Sequence, residues 1–427
     1  MSRLIVGLVA VALVAGCSGE NPVSESPEKS TSLPAVTTTE SVPIETTTTS
    51  NPVVTSTSLM VDSSWLGEGW VAAGDELSPR PHPHTVVEAE FGLVTVGWAC
   101  PEEVACPAAS WVSDDGLNWT GSIPGEDGLG EVTLFEVVAF GSSVFAAGGS
   151  CTQSFDHPDD CGAAIFASDD GLQWTVAAHD VFPDCADADI PDCNMFANRL
   201  ATDGNTMVAT IDEPLEGGGQ NSFPWVSKDG IEWEKAVSNG EAPLLIETVI
   251  PTESGFVGIG TRWDTDEEFW FESFAVWDSP DGYTWSEVPG LEPSNDEDVL
   301  LGPATSWAGG FAAVGEVCDL DWINCFMVIW ASPDGREWTR TPLHGEASDI
   351  TNAFAVFGIN DLLTIAGVTE HDTPYLATTK DLTNWAIQEV SVEGSNLQGP
   401  ITDLIQHEAL LIAVGGRVGF ITNQQEN

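Results

Sequence analysis

Short runs of β-branched and aromatic residues alternate with polar turns from about residue 63 to the end of the chain. One unit of this pattern contains the runs 132–140, 143–149, 163–167 and 173–178. Runs of this length and composition predict β-strands, and the short turns between them predict antiparallel pairing. Equivalent units begin near His84, Asn194, Leu244, Val299 and Ile350. We therefore predict an all-β domain made of repeated four-stranded units.

A seven-residue phrase follows the third run of each unit. It reads SDDGLNW at 113–119, SDDGLQW at 168–174, SKDGIEW at 227–233, SPDGYTW at 279–285, SPDGREW at 332–338 and TKDLTNW at 379–385. Successive copies begin 47 to 59 residues apart. A repeat of this period is typical of β-propellers, in which each unit forms one four-stranded blade.

We assign the phrase a structural role, as the turn between the third and fourth strands of a blade. Glycine after aspartate permits the positive φ angles of a tight hairpin, and serine and aspartate side chains can bind turn amides. The tryptophan then packs from the fourth strand. The predicted turn residues are Ser113, Asp115, Gly116, Trp119, Ser168, Asp170, Gly171, Trp174, Ser227, Asp229, Gly230, Trp233, Ser279, Asp281, Gly282, Trp285, Ser332, Asp334, Gly335 and Trp338. In the last copy Thr379 and Leu382 replace serine and glycine, which predicts a distorted turn.

The two ends of the repeat region indicate the number of blades. Three strand-like runs, 401–406, 410–414 and 417–422, follow the sixth phrase without a fourth strand. An isolated strand-like run carries Trp70, which lies 49 residues before Trp119. We predict a seven-bladed β-propeller in which this N-terminal strand completes the last blade, with six blades as the alternative. Closure of the ring removes exposed strand edges.

The N-terminal 62 residues have a different composition. Arg3 precedes an apolar run that ends in Leu-Val-Ala-Gly-Cys at residues 13–17, and this ending resembles the lipobox of bacterial lipoproteins. The resemblance implies a signal peptide over 1–16, a lipidated Cys17 and export to the outer surface of the bacterial cell membrane; an ordinary secretory signal is the alternative. Residues 17–62 are rich in Ser, Thr and Pro, which predicts a disordered tether before a propeller at 63–427.

Eight cysteines remain after Cys17, an even number that favours disulfides in an exported protein. Proximity in sequence predicts the pairs Cys100–Cys106, Cys151–Cys161, Cys185–Cys193 and Cys318–Cys325. The sequence has no CxxC motif, which would favour a metal centre over disulfides. Three predicted pairs connect second to third strands, and one connects a fourth strand to the next blade. In an antiparallel blade both kinds of loop lie on one face, here called the stapled face, and the phrases lie on the opposite face.

The chain has 67 acidic and 11 basic residues, a formal net charge of −56. This charge argues against nucleic acid as a partner and against direct adhesion to anionic lipid, so we expect membrane contact only through the anchor. Solubility accounts for the charge, and we expect a monomer without a cofactor. A calcium site is the other reading, with Asp184, Asp187, Asp189 and Asp192 as oxygen ligands. The interleaved aromatics Trp263, Trp270, Phe271 and Trp322 are suited to stack on sugars or to receive a partner protein.

The repeated phrase resembles the Asp box of sialidase-like (BNR-repeat) β-propellers, although it is one residue shorter than the usual Ser-x-Asp-x-Gly-x-Thr-Trp. A sialidase would need an arginine cluster and a tyrosine nucleophile. The chain has two tyrosines: Tyr283 lies inside a phrase, and we expect Tyr375 before the third strand of the sixth blade. The family's Arg-Ile-Pro motif is missing from the sequence. The arginines expected to reach the stapled face are Arg80, Arg199, Arg262 and Arg417.

A glycosidase of another kind requires only two suitably spaced carboxyl groups. The residues expected on the inner strands, near a central channel, are Glu136, Asn198, Arg199, Glu247, Asn352 and Asp403. Among them we take Glu136, Arg199, Glu247 and Asp403 as candidate catalytic residues, although each is equally explained as a hydrated channel lining. We predict a non-catalytic module that binds or scaffolds an extracellular protein or glycan. The alternative is an exo-acting glycoside hydrolase of sialidase-like type.

Overall fold

A computed structural model describes residues 70–73, 77, 80–100, 106–125, 129, 131–151, 161–183, 195–214, 220–240, 244–265, 270–291, 297–319, 323–343, 353–369, 371–392, 397–415 and 419–424. These residues belong to one compact unit, 58–427. The predicted signal peptide, Cys17 and the predicted tether lie outside them. No helix within the described ranges is long and apolar enough to cross a membrane.

The strands fall into successive blades along the chain. After β1 (Trp70–Ala73), the first three blades contain β2 (Arg80–Ala89), β3 (Gly92–Cys100), β4 (Ala108–Ser113) and β5 (Thr120–Ser122); β6 (Glu131–Phe140), β7 (Ser143–Cys151), β8 (Cys161–Ser168) and β9 (Thr175–Ala178); and β10 (Ala197–Thr202), β11 (Met207–Pro214), β12 (Gln220–Ser227) and β13 (Trp233–Lys235).

The remaining strands complete four more blades. They are β14 (Val237–Ser238), β15 (Ile246–Thr252), β16 (Gly255–Thr265), β17 (Trp270–Ser279) and β18 (Thr284–Glu287); β19 (Glu297–Trp307), β20 (Gly310–Asp319), β21 (Cys325–Ser332) and β22 (Thr339–Pro342); β23 (Ala353–Ile359), β24 (Leu362–Val368), β25 (Pro374–Thr379) and β26 (Ala386–Glu389); and β27 (Asp403–His407), β28 (Leu410–Gly415) and β29 (Gly419–Gln424).

Seven sheets form a closed ring, which confirms the predicted seven-bladed β-propeller over the six-bladed alternative. Each of the first six blades is an antiparallel sheet of four strands in chain order, and the fourth blade gains β14 by parallel pairing with β18. The last sheet has the order β1-β29-β28-β27, with Trp70 opposite Asn423 and Ala73 opposite Phe420. Consecutive inner strands contact one another all round the ring, including β27 with β2.

The core lies between blades. One cluster joins Phe145 and Ile165 of the second blade to Met207 and Trp225 of the third, and each side chain is at most 8% exposed. Similar clusters fill the other interfaces. Burial of apolar side chains from both partners makes each blade depend on its neighbours for stability.

Six inner strands carry a β-bulge in the half nearest the stapled face. The register shifts after Pro83, Leu134, Ala197, Ile246, Leu301 and Ala353. A glycine of the second strand lies opposite the bulge in five of these blades, at Gly97, Gly148, Gly260, Gly315 and Gly367. A Cβ on Gly148 or Gly260 would lie closer than 3.0 Å to a backbone carbonyl of the inner strand. These glycines therefore allow the inner strand to approach and bulge.

The phrases form the turns between third and fourth strands, but not as two-residue hairpins. The serine Oγ accepts a hydrogen bond from the glycine amide at 2.8–2.9 Å, and the aspartate Oδ1 accepts from the two amides that follow the glycine's at 2.7–3.0 Å. Only the glycine has a positive φ, 69° to 79° in the five copies. The aspartate contributes its side chain rather than an unusual backbone, so the expectation of a tight hairpin was wrong.

The sixth turn is not distorted, contrary to the prediction from its altered residues. Thr379 Oγ1 accepts from the Leu382 amide at 3.0 Å, and Asp381 Oδ1 accepts from Thr383 and Asn384 at 2.9 and 2.8 Å. Leu382 takes the glycine conformation with φ of 63°. The hydroxyl and carboxylate that organise the turn are still present, and they hold leucine in a backbone region that costs about 1–2 kcal/mol.

Among the described residues, two disulfides link a second strand to the third strand or to the loop just before it, Cys100–Cys106 and Cys318–Cys325. The backbone register also places Cys151 opposite Cys161 across β7 and β8. A bond between these two residues stays a prediction. The predicted pair Cys185–Cys193 lies outside the described residues.

Candidate functional site

The bulges shape the stapled-face end of the central channel. We define the channel mouth by three positions in each bulged blade: the bulge residue, the residue after it, and the second-strand residue that follows the glycine position. In the third blade these positions are Asn198, Arg199 and Asp212, because Ile211 replaces the glycine opposite Ala197. Ligand sites commonly lie where such irregular backbone redirects side chains.

Three aromatic residues at mouth positions, His84, Trp98 and Phe135, form a series of ring contacts that continues to Phe196, two residues before the bulge of the third blade. His84 lies 4.3 Å from Trp98, Trp98 lies 6.5 Å from Phe135, and Phe135 lies 5.4 Å from Phe196, measured between ring centroids. All four side chains are half-buried. Phe196 also packs on Gly149, where a Cβ would come within 2.6 Å of its ring. We call these four residues the aromatic arc.

Burial lowers the pKa of His84 to about 4. Its imidazole is therefore neutral near pH 7, because removal from water disfavours the charged form. The aromatic arc consequently carries no positive charge under these conditions and presents an apolar surface with one polar ring.

Two predicted catalytic candidates neutralise each other in the mouth. Arg199 Nη1 lies 2.8 Å from Glu136 Oε2, and both side chains are about one quarter exposed. This ion pair connects the inner strands of the second and third blades. The structure therefore brings Glu136 and Arg199 together. Arg199 is the one arginine among the described mouth positions.

The third candidate, Asp403, lies at the seam where the ring closes. Its Oδ2 accepts a hydrogen bond from the Val86 amide at 2.8 Å, and its Oδ1 accepts from the Leu404 amide at 2.7 Å. Burial raises the pKa of Asp403 to about 7. Thr85 makes an analogous contact one blade further on, accepting from the Val137 amide at 3.2 Å. Asp403 thus joins the seventh blade to the first.

The other predicted channel residues have different surroundings. Glu247 is exposed at the bulge of the fourth blade. Asn198, expected to line the channel, lies at the bulge of the third blade and donates to Asp212 Oδ1 at 2.6 Å and to Ser222 Oγ at 3.3 Å. Asn352 lies outside the described residues.

Asp212 is a mouth residue that the sequence did not reveal. Its side chain is 8% exposed, and its Oδ1 accepts from both Asn198 and Ser222, at 2.6 and 2.7 Å. Burial raises its pKa, and hydrogen bonds from Asn198 and Ser222 oppose the rise. Its backbone amide donates to the Phe196 carbonyl at 2.9 Å, which places it beside the aromatic arc. The sequence carried no local signal for it, because Ile211 stands where the other bulged blades have glycine.

The residues expected of a sialidase are not assembled in the described part of the chain. Tyr375 belongs to the third strand β25 rather than preceding it, is 2% exposed, and has a raised pKa because it is buried. Tyr283 lies in a phrase turn on the opposite face. Arg262, in the second strand of the fourth blade, pairs at 2.6 Å with Glu287 of β18, the outer strand of the same blade. Arg80 is the first residue of β2, and Arg417 lies outside the described residues.

The predicted calcium ligands lie outside the described residues, as does Trp322. Trp263, Trp270 and Phe271 lie in β16 and β17, and only their backbone is described. One described group, Glu316 with Cys318 and Cys325, is close enough together to hold an ion. The two cysteines form a disulfide, so they offer no thiolate. Calcium binding therefore stays a prediction.

No protein-family model matches the chain, and no curated protein matches its sequence. Among solved structures, it is similar to the sialidase of Trypanosoma rangeli in complex with sialic acid, with 14% identity, a TM-score of 0.42, and coverage of 84% of this chain and 58% of that chain. It is also similar to the α-L-arabinanase of Penicillium chrysogenum complexed with arabinobiose, with 13% identity, a TM-score of 0.46, and coverage of 84% and 98%. These likenesses concern the propeller fold.

Proposed function

We propose that this chain is an exported, lipid-anchored module that binds a carbohydrate at the channel mouth without cleaving it. The aromatic arc beside hydrogen-bonding side chains supports the proposal. A pyranose ring has an apolar face that packs on aromatic side chains and a rim of hydroxyl groups that need polar partners. Asn198 and Asp212 lie next to Phe196 and supply such partners.

The charge of the mouth favours a neutral or amine-bearing sugar over an acidic one. An acidic sugar needs cationic side chains for its carboxylate, and Arg199 is already paired with Glu136. The net charge of −56 further repels anionic ligands. The site thus differs from one built to bind sialic acid.

The contacts of the candidate carboxyl groups favour binding over hydrolysis. Glycosidases pair a protonated carboxylic acid with a second carboxylate across the scissile bond. Glu136 is held by Arg199, and both oxygens of Asp403 accept backbone amides. These groups already stabilise the contacts between blades.

The N-terminal sequence supplies the proposed location. A lipidated Cys17 at the outer surface, followed by the tether, would hold the propeller away from the membrane. In this proposal the propeller is a monomer, contacts the membrane only through its anchor and does not bind nucleic acid. Loss of membrane association in a Cys17→Ser variant tests the anchor.

The binding function is tested with an oligosaccharide panel and calorimetry on the propeller, with Trp98→Ala and Phe196→Ala as mouth variants. Each is expected to weaken binding about tenfold or more, since aromatic contacts are a major part of such sites. Phe326→Ala, which removes a 42% exposed aromatic outside the mouth, is the matched control. Equal affinity in all three variants would contradict the proposed site.

A fluorogenic glycoside panel tests the hydrolase alternative on the same protein. We expect no turnover. Hydrolysis that disappears in Glu136→Gln or Asp403→Asn would establish an enzyme and overturn the non-catalytic proposal.

A further inference from the structure

We infer that Asp212 recognises a protonated amine, so that the preferred ligand of the mouth is an amine-bearing sugar. This inference rests on the proposed carbohydrate binding and specifies its chemistry. It concerns a residue beside the aromatic arc, on the stapled-face end of β11, whose backbone amide donates to Phe196.

The described hydrogen-bond partners of Asp212 are neutral, and both side-chain donors use the same oxygen. Asn198 and Ser222 bind Oδ1 at 2.6 and 2.7 Å. This arrangement fixes the orientation of the carboxyl group, and none of the described hydrogen bonds involves Oδ2. Burial disfavours the ionised form of such a carboxyl group, and a cationic partner offsets that cost.

Neighbouring acids show what is missing at Asp212. Glu213, the next residue, is equally buried at 8%, but it is bound by Lys235 Nζ at 2.5 Å and by Trp225 Nε1 at 3.0 Å. Glu136, across the interface between blades, has Arg199. Among the described residues no lysine or arginine pairs with Asp212. An ammonium group of the ligand would supply the missing charge.

The position of Asp212 matches the geometry of a bound sugar. A ring stacked on Phe196 has its substituents in the ring plane, directed past the aromatic edge toward neighbouring side chains. Asn198 bonds Asp212 from the bulge of the same blade, so these polar groups continue the mouth where the aromatic arc ends. Apolar contact and charge recognition thus come from adjacent residues.

Three β-1,4-linked tetrasaccharides provide the test, because glucosamine, N-acetylglucosamine and glucose differ only at carbon 2. Calorimetry near neutral pH gives the affinity of the full propeller for each. We expect the amine form to bind about tenfold or more tightly than the other two, the range of a hydrogen bond to a charged group. Asp212→Asn should abolish this preference while it retains binding of the glucose tetramer.

Glu213→Gln is the matched control. It also removes one negative charge from a buried acid of the same strand, so it lowers non-specific attraction of a cation equally. The preference should persist in this variant. Equal loss in both variants, or full preference in Asp212→Asn, would overturn the role of Asp212, whereas no binding of any tetramer would refute the proposed function itself.

Ser222→Ala gives an independent variant should Asp212→Asn fail to fold. It removes one of the two donors that orient Oδ1. We expect a partial loss of the preference for the amine form with little change for the glucose form. An unchanged ratio of affinities would contradict the inference.

Discussion

Glycine in the turn phrase meets two separate requirements, a positive φ and a lack of space for a side chain. In the third blade Gly230 has a φ of 78°, and a Cβ there would overlap Phe145 of the preceding blade. Gly204, in the turn between the first two strands of the same blade, has a φ of 87° with no atom within 4 Å of a Cβ. An alanine at Gly204 would therefore introduce backbone strain alone, whereas an alanine at Gly230 would add steric overlap to that strain.

We predict that Gly204→Ala costs about 1–2 kcal/mol in the free energy of unfolding, the penalty for alanine in the left-handed region. Gly230→Ala should cost about 1–3 kcal/mol more, because the methyl group displaces Phe145. Urea denaturation of both variants measures the difference. Equal values would mean that contacts between the phrase and the neighbouring blade contribute little.

The phrase aspartates predict a particular acid sensitivity. Backbone amides, that of Asn118 first, and the Asn118 side chain lower the pKa of Asp115 to about 2. A carboxyl group with a lowered pKa in the folded state stabilises the protein above its unfolded pKa, and this contribution is lost as pH falls toward the folded pKa. Hydrogen bonds lower the pKa of Asp170, Asp229 and Asp281 in the same way.

Thermal stability should therefore fall between about pH 4 and about pH 2, where these groups are protonated in the unfolded chain first. Asp115→Asn should make this decline shallower, since asparagine no longer titrates, and lower the stability at pH 7. Melting temperatures across this range provide the measurement. Parallel pH curves for the variant and the wild type would argue against the role of Asp115.

Sequence could identify the turn residues because their role is local: the serine and aspartate side chains accept hydrogen bonds from backbone amides within three positions, and the glycine supplies the positive φ. It could not identify Asp212, whose hydrogen bonds come from Asn198 and Ser222 on two other strands. Glu136 and Arg199 are 63 positions apart, and their pairing follows only from the way adjacent blades pack. Tyr375 was misplaced because one residue at a strand boundary decides whether a side chain is buried.

At the scale of elements, β1 is a short strand that closes the whole ring. Its four residues complete the last blade against β29, and Trp70 is 2% exposed within a cluster that includes Ile401 and Leu411. The sequence predicted this closure because Trp70 keeps the spacing of the phrase tryptophans. The bulges were not predicted, since they arise from contact between an inner strand and a second strand rather than from a local motif.

Trp70→Ala should destabilise the propeller by about 3–5 kcal/mol, the range for truncation of a buried tryptophan. Val71→Ala is the control on the same strand, because Val71 is 51% exposed and its loss should cost less than about 1 kcal/mol. Denaturant unfolding followed by tryptophan fluorescence distinguishes the two. A small effect at Trp70 would show that the ring is stable without the closing strand.

At the scale of the whole molecule, repulsion between acidic groups opposes folding. The chain carries 67 acidic against 11 basic residues, and the described ion pairs, such as Arg340–Glu297 and Lys380–Asp361, engage only single acids. Compaction brings the remaining carboxylates closer together, which raises their mutual repulsion relative to the extended chain. Salt screens this repulsion and, to a smaller extent, weakens the exposed ion pairs.

We therefore predict that the melting temperature rises by several degrees between about 0.05 M and about 1 M NaCl, over which the Debye length falls from above 10 Å to about 3 Å. The rise should be smaller near pH 4, where the carboxylates are partly protonated and less repulsion remains to be screened. Differential scanning calorimetry at both pH values measures this. A fall of the melting temperature with salt at pH 7 would mean that ion pairs outweigh repulsion, and an equal rise at both pH values would assign the effect to general salt stabilisation rather than to charge.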